Sequence, residues 1–181
     1  MNYYIADMHL GHENVIAFDN RPFKNADEMD WELIRRWNQR VNENDHVYIV
    51  GDFCFRSKNT SAWYLRQLKG RKHLIQGNHD KATLQDKEAL ACLESVDKML
   101  FVQDCGHNIV LCHFPLAEWN GYYRGAWHIY GHIHGRMDAA GQYMRGQERA
   151  RNAGCMCHDY QPVTFQELAD SHQVIRGSER R

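Results

Sequence analysis

The stretch Lys72-His73-Leu74-Ile75-Gln76-Gly77-Asn78-His79-Asp80 sets a short apolar-centred run directly against a glycine and three polar residues. A run of that kind, stopped by glycine, predicts a buried strand over Lys72 to Gln76 that delivers an amide, an imidazole and a carboxylate to a sheet end. The pattern recurs along the chain. Asn2 to Met8 runs into His9, His12 and Glu13, and Asp45 to Val50 stops at Gly51-Asp52. Asn108 to Cys112 ends at His113, and Trp127 to Tyr130 ends at Gly131-His132-Ile133-His134. Each of these five predicted strands ends in a residue able to hold a metal ion.

Helices are expected between them. From Asn25 to Val41, Met29, Leu33, Ile34, Trp37 and Val41 recur at helical spacing among charges, an amphipathic helix facing a core. Asn59 to Lys69 reads as a second, with Trp63, Leu65 and Leu68 inward and Gly70 as its stop. Further strands are expected at Ser95 to Val102 and around Asn152 to Cys157, and Thr164-Phe165-Gln166-Glu167 is a capping-box pattern opening a last helix. Strands interleaved with helices indicate an α/β protein.

With 181 residues, 43% of them hydrophobic, and no repeat or linker, one domain over 1–181 is expected. Twenty-two basic against 23 acidic residues leave a net charge of −1, which disfavours tight, sequence-blind binding to nucleic acid or anionic membranes. No N-terminal basic-then-apolar leader is present, nor the roughly 18 apolar residues that span a bilayer, so a soluble cytoplasmic protein is expected. The six cysteines include no Cys-x-x-Cys pair and are expected to be reduced, with Cys155 and Cys157 on one face of a strand. Twelve histidines, scattered singly from His9 to His172, exclude a tag and fit a metal-centred site.

Asp-x-His, Gly-Asp and His-x-His are each expected about once by chance in this composition, whereas Gly-His-x-His is expected ~0.06 times and Gly-Asn-His-Asp ~0.004 times. Their succession is therefore informative. Asp7-x-His9, Gly51-Asp52, Gly77-Asn78-His79-Asp80, His113 and Gly131-His132-x-His134 together resemble the signature of the calcineurin-like metallophosphoesterases. The segment Gly11-His12-Glu13-Asn14-Val15-Ile16, followed by Asn20-Arg21-Pro22-Phe23, is similar to the opening of the small bacterial and phage members. The resemblance covers about residues 3 to 170 and implies a four-layer αββα sandwich, two mixed β-sheets flanked by helices, without a cap domain.

It also implies roles. Asp7, His9 and His134 would hold one divalent ion, Asn78, His113 and His132 a second, and Asp52 would bridge them with one carboxylate oxygen on each. Such oxygen and imidazole donors suit Mn²⁺ first, with Fe, Zn, Ni or Co also admissible. Two divalent ions with Asp7, Asp52 and a hydroxide between them keep about one net positive charge for a phosphate. His79 resembles the family's catalytic histidine, and Asp80 either orients it or has another role, because the related protein phosphatases place that aspartate where this chain has Phe55. His12 and Arg21, and separately Arg56, either grip the substrate phosphate or are a loop-fixing histidine and surface arginines. Trp119-Asn120-Gly121-Tyr122-Tyr123 either walls the site or covers the core. His46, His73, His107, His128, His158 and His172 are expected to be ordinary surface or core histidines. The implied activity is hydrolysis of a small phosphodiester or phosphomonoester, the alternatives being a non-catalytic metal-binding scaffold of the same fold or a nuclease.

Overall fold

Alternation along the first strand builds the layers. In the computed structural model, which describes residues 1–178 (side chains 1–171), β1 (Asn2–Ile5) turns Tyr3 and Ile5 toward one apolar cluster and Tyr4, with Ala6 just beyond it, toward another. The first cluster lies under the helices. The second lies between two sheets, so the expected four layers follow from a period of two.

The chain continues through α1 (Glu13–Phe18), α2 (Ala26–Arg40), β2 (His46–Ile49), α3 (Ser61–Leu65), β3 (Arg71–Ile75), α4 (Lys81–Gln85), α5 (Lys87–Leu90), β4 (Ser95–Asp97) and β5 (Met99–Asp104). It then forms β6 (His107–Cys112), β7 (Trp127–Tyr130), α6 (Ala139–Gly146), β8 (Ala150–Asn152), β9 (Val163–Thr164) and α7 (Phe165–Ser178). One sheet has the order β4-β3-β2-β1-β9, parallel except for β9, and the other β5-β6-β7-β8, parallel except for β5. The fold is thus α/β with two mixed sheets and flanking helices.

Helix α2 begins where Asn25 Oδ1 accepts the Glu28 N–H at 2.8 Å, and it buries Met29, Leu33, Ile34 and Trp37 against the first sheet. Each such side chain contributes about 1.5–3 kcal/mol of burial. Between the sheets, Tyr48, Val50 and Ile75 meet Ile109, Leu111 and Ile129. Outside the second sheet, Val110, Tyr130 and Ala150 pack with Trp119 and with Met144 of α6. The capping box forms as expected: Glu167 accepts the Thr164 N–H at 2.7 Å while Thr164 Oγ1 accepts the Glu167 N–H at 3.3 Å.

Three segments depart from expectation. The helix over Asn59 to Lys69 shortens to Ser61–Leu65, because side chains of α2 claim the carbonyls beyond it: Asn38 donates to Gln67 O and the Trp37 indole to Lys69 O. The run Ser95 to Val102 is two strands in different sheets, parted at Lys98. Around Asn152 to Cys157 the strand stops at Asn152, and Cys155–Cys157 is a tight turn whose first residue donates its N–H to Ala6 O. No helix of the described residues is long and apolar enough to cross a membrane.

Candidate metal centre

The C-terminal ends of β1, β2, β3, β6 and β7 point to one place, and there the backbone takes an uncommon form. Asp7, His9, Asp52, His132 and His134 all have φ between 51° and 69°, the left-handed region that residues with a Cβ seldom enter. Such turns end each strand abruptly and aim its side chain across the sheet end. The glycines of the motifs have a steric reason. A Cβ on Gly51, itself at φ +86°, would collide with the His113 ring, and one on Gly77 with the Asp52 carboxylate.

Seven expected residues converge. Ligand atoms of Asp7, His9 and His134 lie within 4.8 Å of one another, as do those of Asp7, Asp52 and His113. His9 Nε2 is 3.3 Å from His134 Nε2 and 3.6 Å from Asp52 Oδ2. Asn78 Oδ1 lies 3.0 Å from His113 Nε2 and 2.9 Å from His132 Nδ1, and Asp52 Oδ2 is 3.4 Å from His113 Nε2. The expectation that Asp52 offers one oxygen to each cluster needs correction. Oδ2 alone stands between the two, since Oδ1 accepts the His79 N–H at 2.8 Å.

Tautomers decide what these atoms are. His113 Nδ1 lies 2.9 Å from Val50 O, which can only accept, so Nδ1 carries the proton and, in the neutral ring, Nε2 turns a lone pair toward Asn78 and Asp52. His134 Nδ1 faces both carboxylate oxygens of Asp19 at 2.8 Å, leaving its Nε2 to face His9 in the same way. Imidazole nitrogens, carboxylates and an amide oxygen gathered this closely form a set of ligands to which a divalent cation can bind. The donor set therefore fits divalent metal ions, with outer acceptors fixing the inner rings as metal-binding histidines require.

Burial and charge act differently on the members of the cluster. Burial pushes the His9 imidazole down to about 3, leaving a neutral ring at pH 7. Burial pushes the Asp7 carboxyl up to about 6, opposed by His134 and His113. At Asp52 burial acts upward too, but the hydrogen bond and charge of a protonated His113, whose ring Asp52 raises in return, prevail and hold it at about 2; a cation that takes the His113 Nε2 would displace that proton. Anionic Asp52 is thus the anchor of the cluster.

The remaining expected residues separate. The His79 ring stands outside the ligand set, 5.4 Å from the His9 ring and 4.2 Å from Phe55 between centroids. Asp80 does not orient it. Its fully buried carboxylate accepts the N–H of Gly77 at 2.8 Å, Asp52 at 2.9 Å and Phe53 at 2.8 Å, tying the loop after β3 to the loop after β2. Arg21 cannot grip a substrate, because all five of its donors are committed inside the protein: to Asp19, to the carbonyls of Asp7 and Met8, and to Met29 Sδ. It holds the first loop instead. His12 is half-buried with its edge on Phe55, and Arg56 is exposed with its guanidinium 5.2 Å from the Phe55 ring and no ion pair among the described residues. Both line a groove over the centre.

Trp119 is buried with its indole N–H on Ala126 O and Tyr122 bonds Gln147, so that segment covers the second sheet and does not wall the site. Cys155 donates its thiol to Asp7 O at 3.3 Å, and burial pushes that thiol up to about 12. It is a loop anchor. His46 and His73 pair with each other, His128 is buried between Val110 O and the Leu116 N–H, and His158 bonds Asn152 O, while the His172 side chain lies outside the described residues. Asp19 escaped the sequence reading. Its signal was chemical: a ligand histidine needs an outer acceptor, and Asp19 is a carboxylate two residues before an arginine in the segment already singled out.

No family model matches the chain. It is 30% identical over 180 residues to the uncharacterized protein MJ1445 of Methanocaldococcus jannaschii, covering 96% of this chain and 94% of that one. Among solved structures, the protein of unknown function AQ665 from Aquifex aeolicus superposes with a TM-score of 0.71 at 27% identity, over 93% of this chain and 97% of that one. Likeness to the Pseudomonas putida nuclease MPE is weaker, with a TM-score of 0.49 at 20% identity over 74% and 60% of the two chains. Every block of the signature is thus brought to one end of two facing mixed sheets, and the chain belongs to one family with MJ1445, alike over nearly its whole length.

Proposed function

We propose that the protein is a divalent-metal-dependent hydrolase of small phosphoesters working at a two-ion centre, with Mn²⁺ as its best activator. One observation carries the reading: metal-binding atoms of seven side chains gather 2.9–4.0 Å from their neighbours, with His113 and His134 held so that Nε2 faces inward, a donor set that suits divalent cations. Asp7, His9 and His134 would hold one ion, Asn78, His113 and His132 the other, with Asp52 Oδ2 shared. Bound ions would supply polarisation of the phosphoryl oxygens and a strong nucleophile at neutral pH.

The chain's own residues do the rest. Asp19 and the Val50 carbonyl keep the His134 and His113 tautomers correct. His79, beside the cluster and free of metal duty, is placed to protonate the leaving oxygen. Arg56 presents an uncommitted guanidinium at the rim for a second phosphate oxygen. Two ions less the charges of Asp7 and Asp52 leave a positive centre, which suits a diester monoanion with a poor leaving group.

The test is a screen with Mn²⁺ of bis(p-nitrophenyl) phosphate, p-nitrophenyl phosphate, cyclic nucleotides, nucleoside polyphosphates and short RNA and DNA. The diester should be cleaved at least as well as the monoester, and chelation should abolish both activities. Two tightly bound ions with no hydrolysis of any substrate would favour a scaffold. Efficient digestion of long nucleic acid at ~150 mM salt would overturn the small-substrate reading.

A further inference from the structure

We propose that the open edge of the second sheet, strand β5, pairs antiparallel with the same edge of a second copy of this chain. β5 is the last strand of its sheet: it bonds β6 alone, and none of its backbone groups bonds another segment among the described residues. A bare edge is a template for a further strand, and proteins that stay single protect it with charge, proline or a bulge. None of these devices is present from Met99 to Gln103. The five residues are uncharged and include no proline, and their register with β6 is unbroken. Alternation gives the edge two faces. Leu100 and Val102 pack against the cluster between the sheets, while Met99 and Phe101 turn outward, 40% and 57% exposed, and belong to none of the apolar clusters. Val96, just before the bend into β5, is exposed as well. Packing within one chain does not account for these side chains.

Charge complementarity names the occupant. In an antiparallel pair, side chains directly opposite share a face, so two copies continue both faces only when the two-fold axis passes through a residue rather than between two. The stretch Lys98-Met99-Leu100-Phe101-Val102-Gln103-Asp104 has opposite charges at equal distances from Phe101. An axis through Phe101 therefore sets Phe101 against Phe101, Leu100 against Val102, and Lys98 against Asp104 twice, because the axis repeats each contact. An axis through Leu100 would oppose Lys98 to Val102, and one through Val102 would oppose Asp104 to Leu100. Lys98 is exposed and makes no ion pair among the described residues, while Asp104 is held in place by the Tyr4 hydroxyl at 2.8 Å. These charges select the register more than they add affinity, which comes from the backbone ladder and the apolar rows.

The experiment is analytical ultracentrifugation of the full chain from about 1 to about 500 µM, over which the protein should pass from monomer to dimer. Phe101→Lys, which brings two ammonium groups together on the axis, should stay monomeric with an unchanged far-UV spectrum, whereas Trp31→Lys, at an exposed position of α2, should dimerise as the wild type does. Lys98→Glu, which opposes like charges twice, should weaken the dimer about tenfold. Oxidation then reads the register. Phe101→Cys in a Cys105→Ser background should form an intermolecular disulfide, because directly opposed residues stand within bonding range, and Met99→Cys in the same background should not. A wild type still monomeric at about 500 µM overturns the proposal and leaves the edge to a strand of a different protein. A dimer that survives Phe101→Lys overturns it by placing the interface elsewhere, and equal crosslinking of the two cysteine variants, or a dimer indifferent to Lys98→Glu, overturns the register.

Discussion

At the scale of the residue, the adjacent pair His79 and Asp80 divides chemistry from architecture. The His79 ring bonds no carboxylate among the described residues and stands outside the ligand cluster. His79→Ala should therefore lower kcat by on the order of 10² with metal content, measured by plasma mass spectrometry, intact. Loss of an ion from that variant would place His79 among the ligands. Asp80 is an acceptor for three buried amides, each costing about 1–3 kcal/mol when left unpaired. Asp80→Ala should lose at least about 3 kcal/mol in chemical denaturation of the metal-free protein, and Asp80→Asn, which retains one oxygen, should lose less. Wild-type stability with a lowered kcat would return Asp80 to a catalytic role.

Elements show what could be read from the chain and what could not. The strands before Asp52, Asn78, His113 and His132 were legible to within about two residues, because a buried parallel strand is a continuous apolar run and each one stops at a glycine or histidine. Helix α2 was legible because its period is local. The run from Ser95 to Val102 misled for a physical reason: both halves are extended and half-buried, and nothing local tells a strand which of two sheets it joins. At the site, residue types and order identified the inward-facing side chains, since coordination chemistry limits the choice. The supports were not legible. Arg21 was open between a phosphate grip and a surface arginine, yet its five donors close on carbonyls, on Asp19 and on Met29 Sδ, partners that meet only after folding.

Across the whole molecule, stability should depend on pH through a histidine remote from the candidate ligands. His128 is fully buried, its Nδ1 donating to Val110 O at 3.0 Å and its Nε2 accepting the Leu116 N–H at 3.2 Å, and burial pushes it down to about 4. Between about pH 6.5 and 4 the unfolded chain holds a proton there that the folded one refuses, so the stabilisation is complete above pH 6.5 and is lost on acidification. Denaturation of the chelated protein should show the gap between wild type and His128→Asn narrowing by on the order of 3 kcal/mol across that window. A gap independent of pH would mean that the folded and unfolded chains bind the His128 proton equally, so that burial does not lower it.

Of the seven inward-facing side chains, Asp7, His9, Asp52 and Asn78 follow strands of the first sheet, and His113, His132 and His134 follow strands of the second. An ion seated among them would therefore also be a rivet through the two halves of the sandwich. Folding and loading would then be one linked equilibrium, and the supply of metal around the protein would set how long a copy lasts.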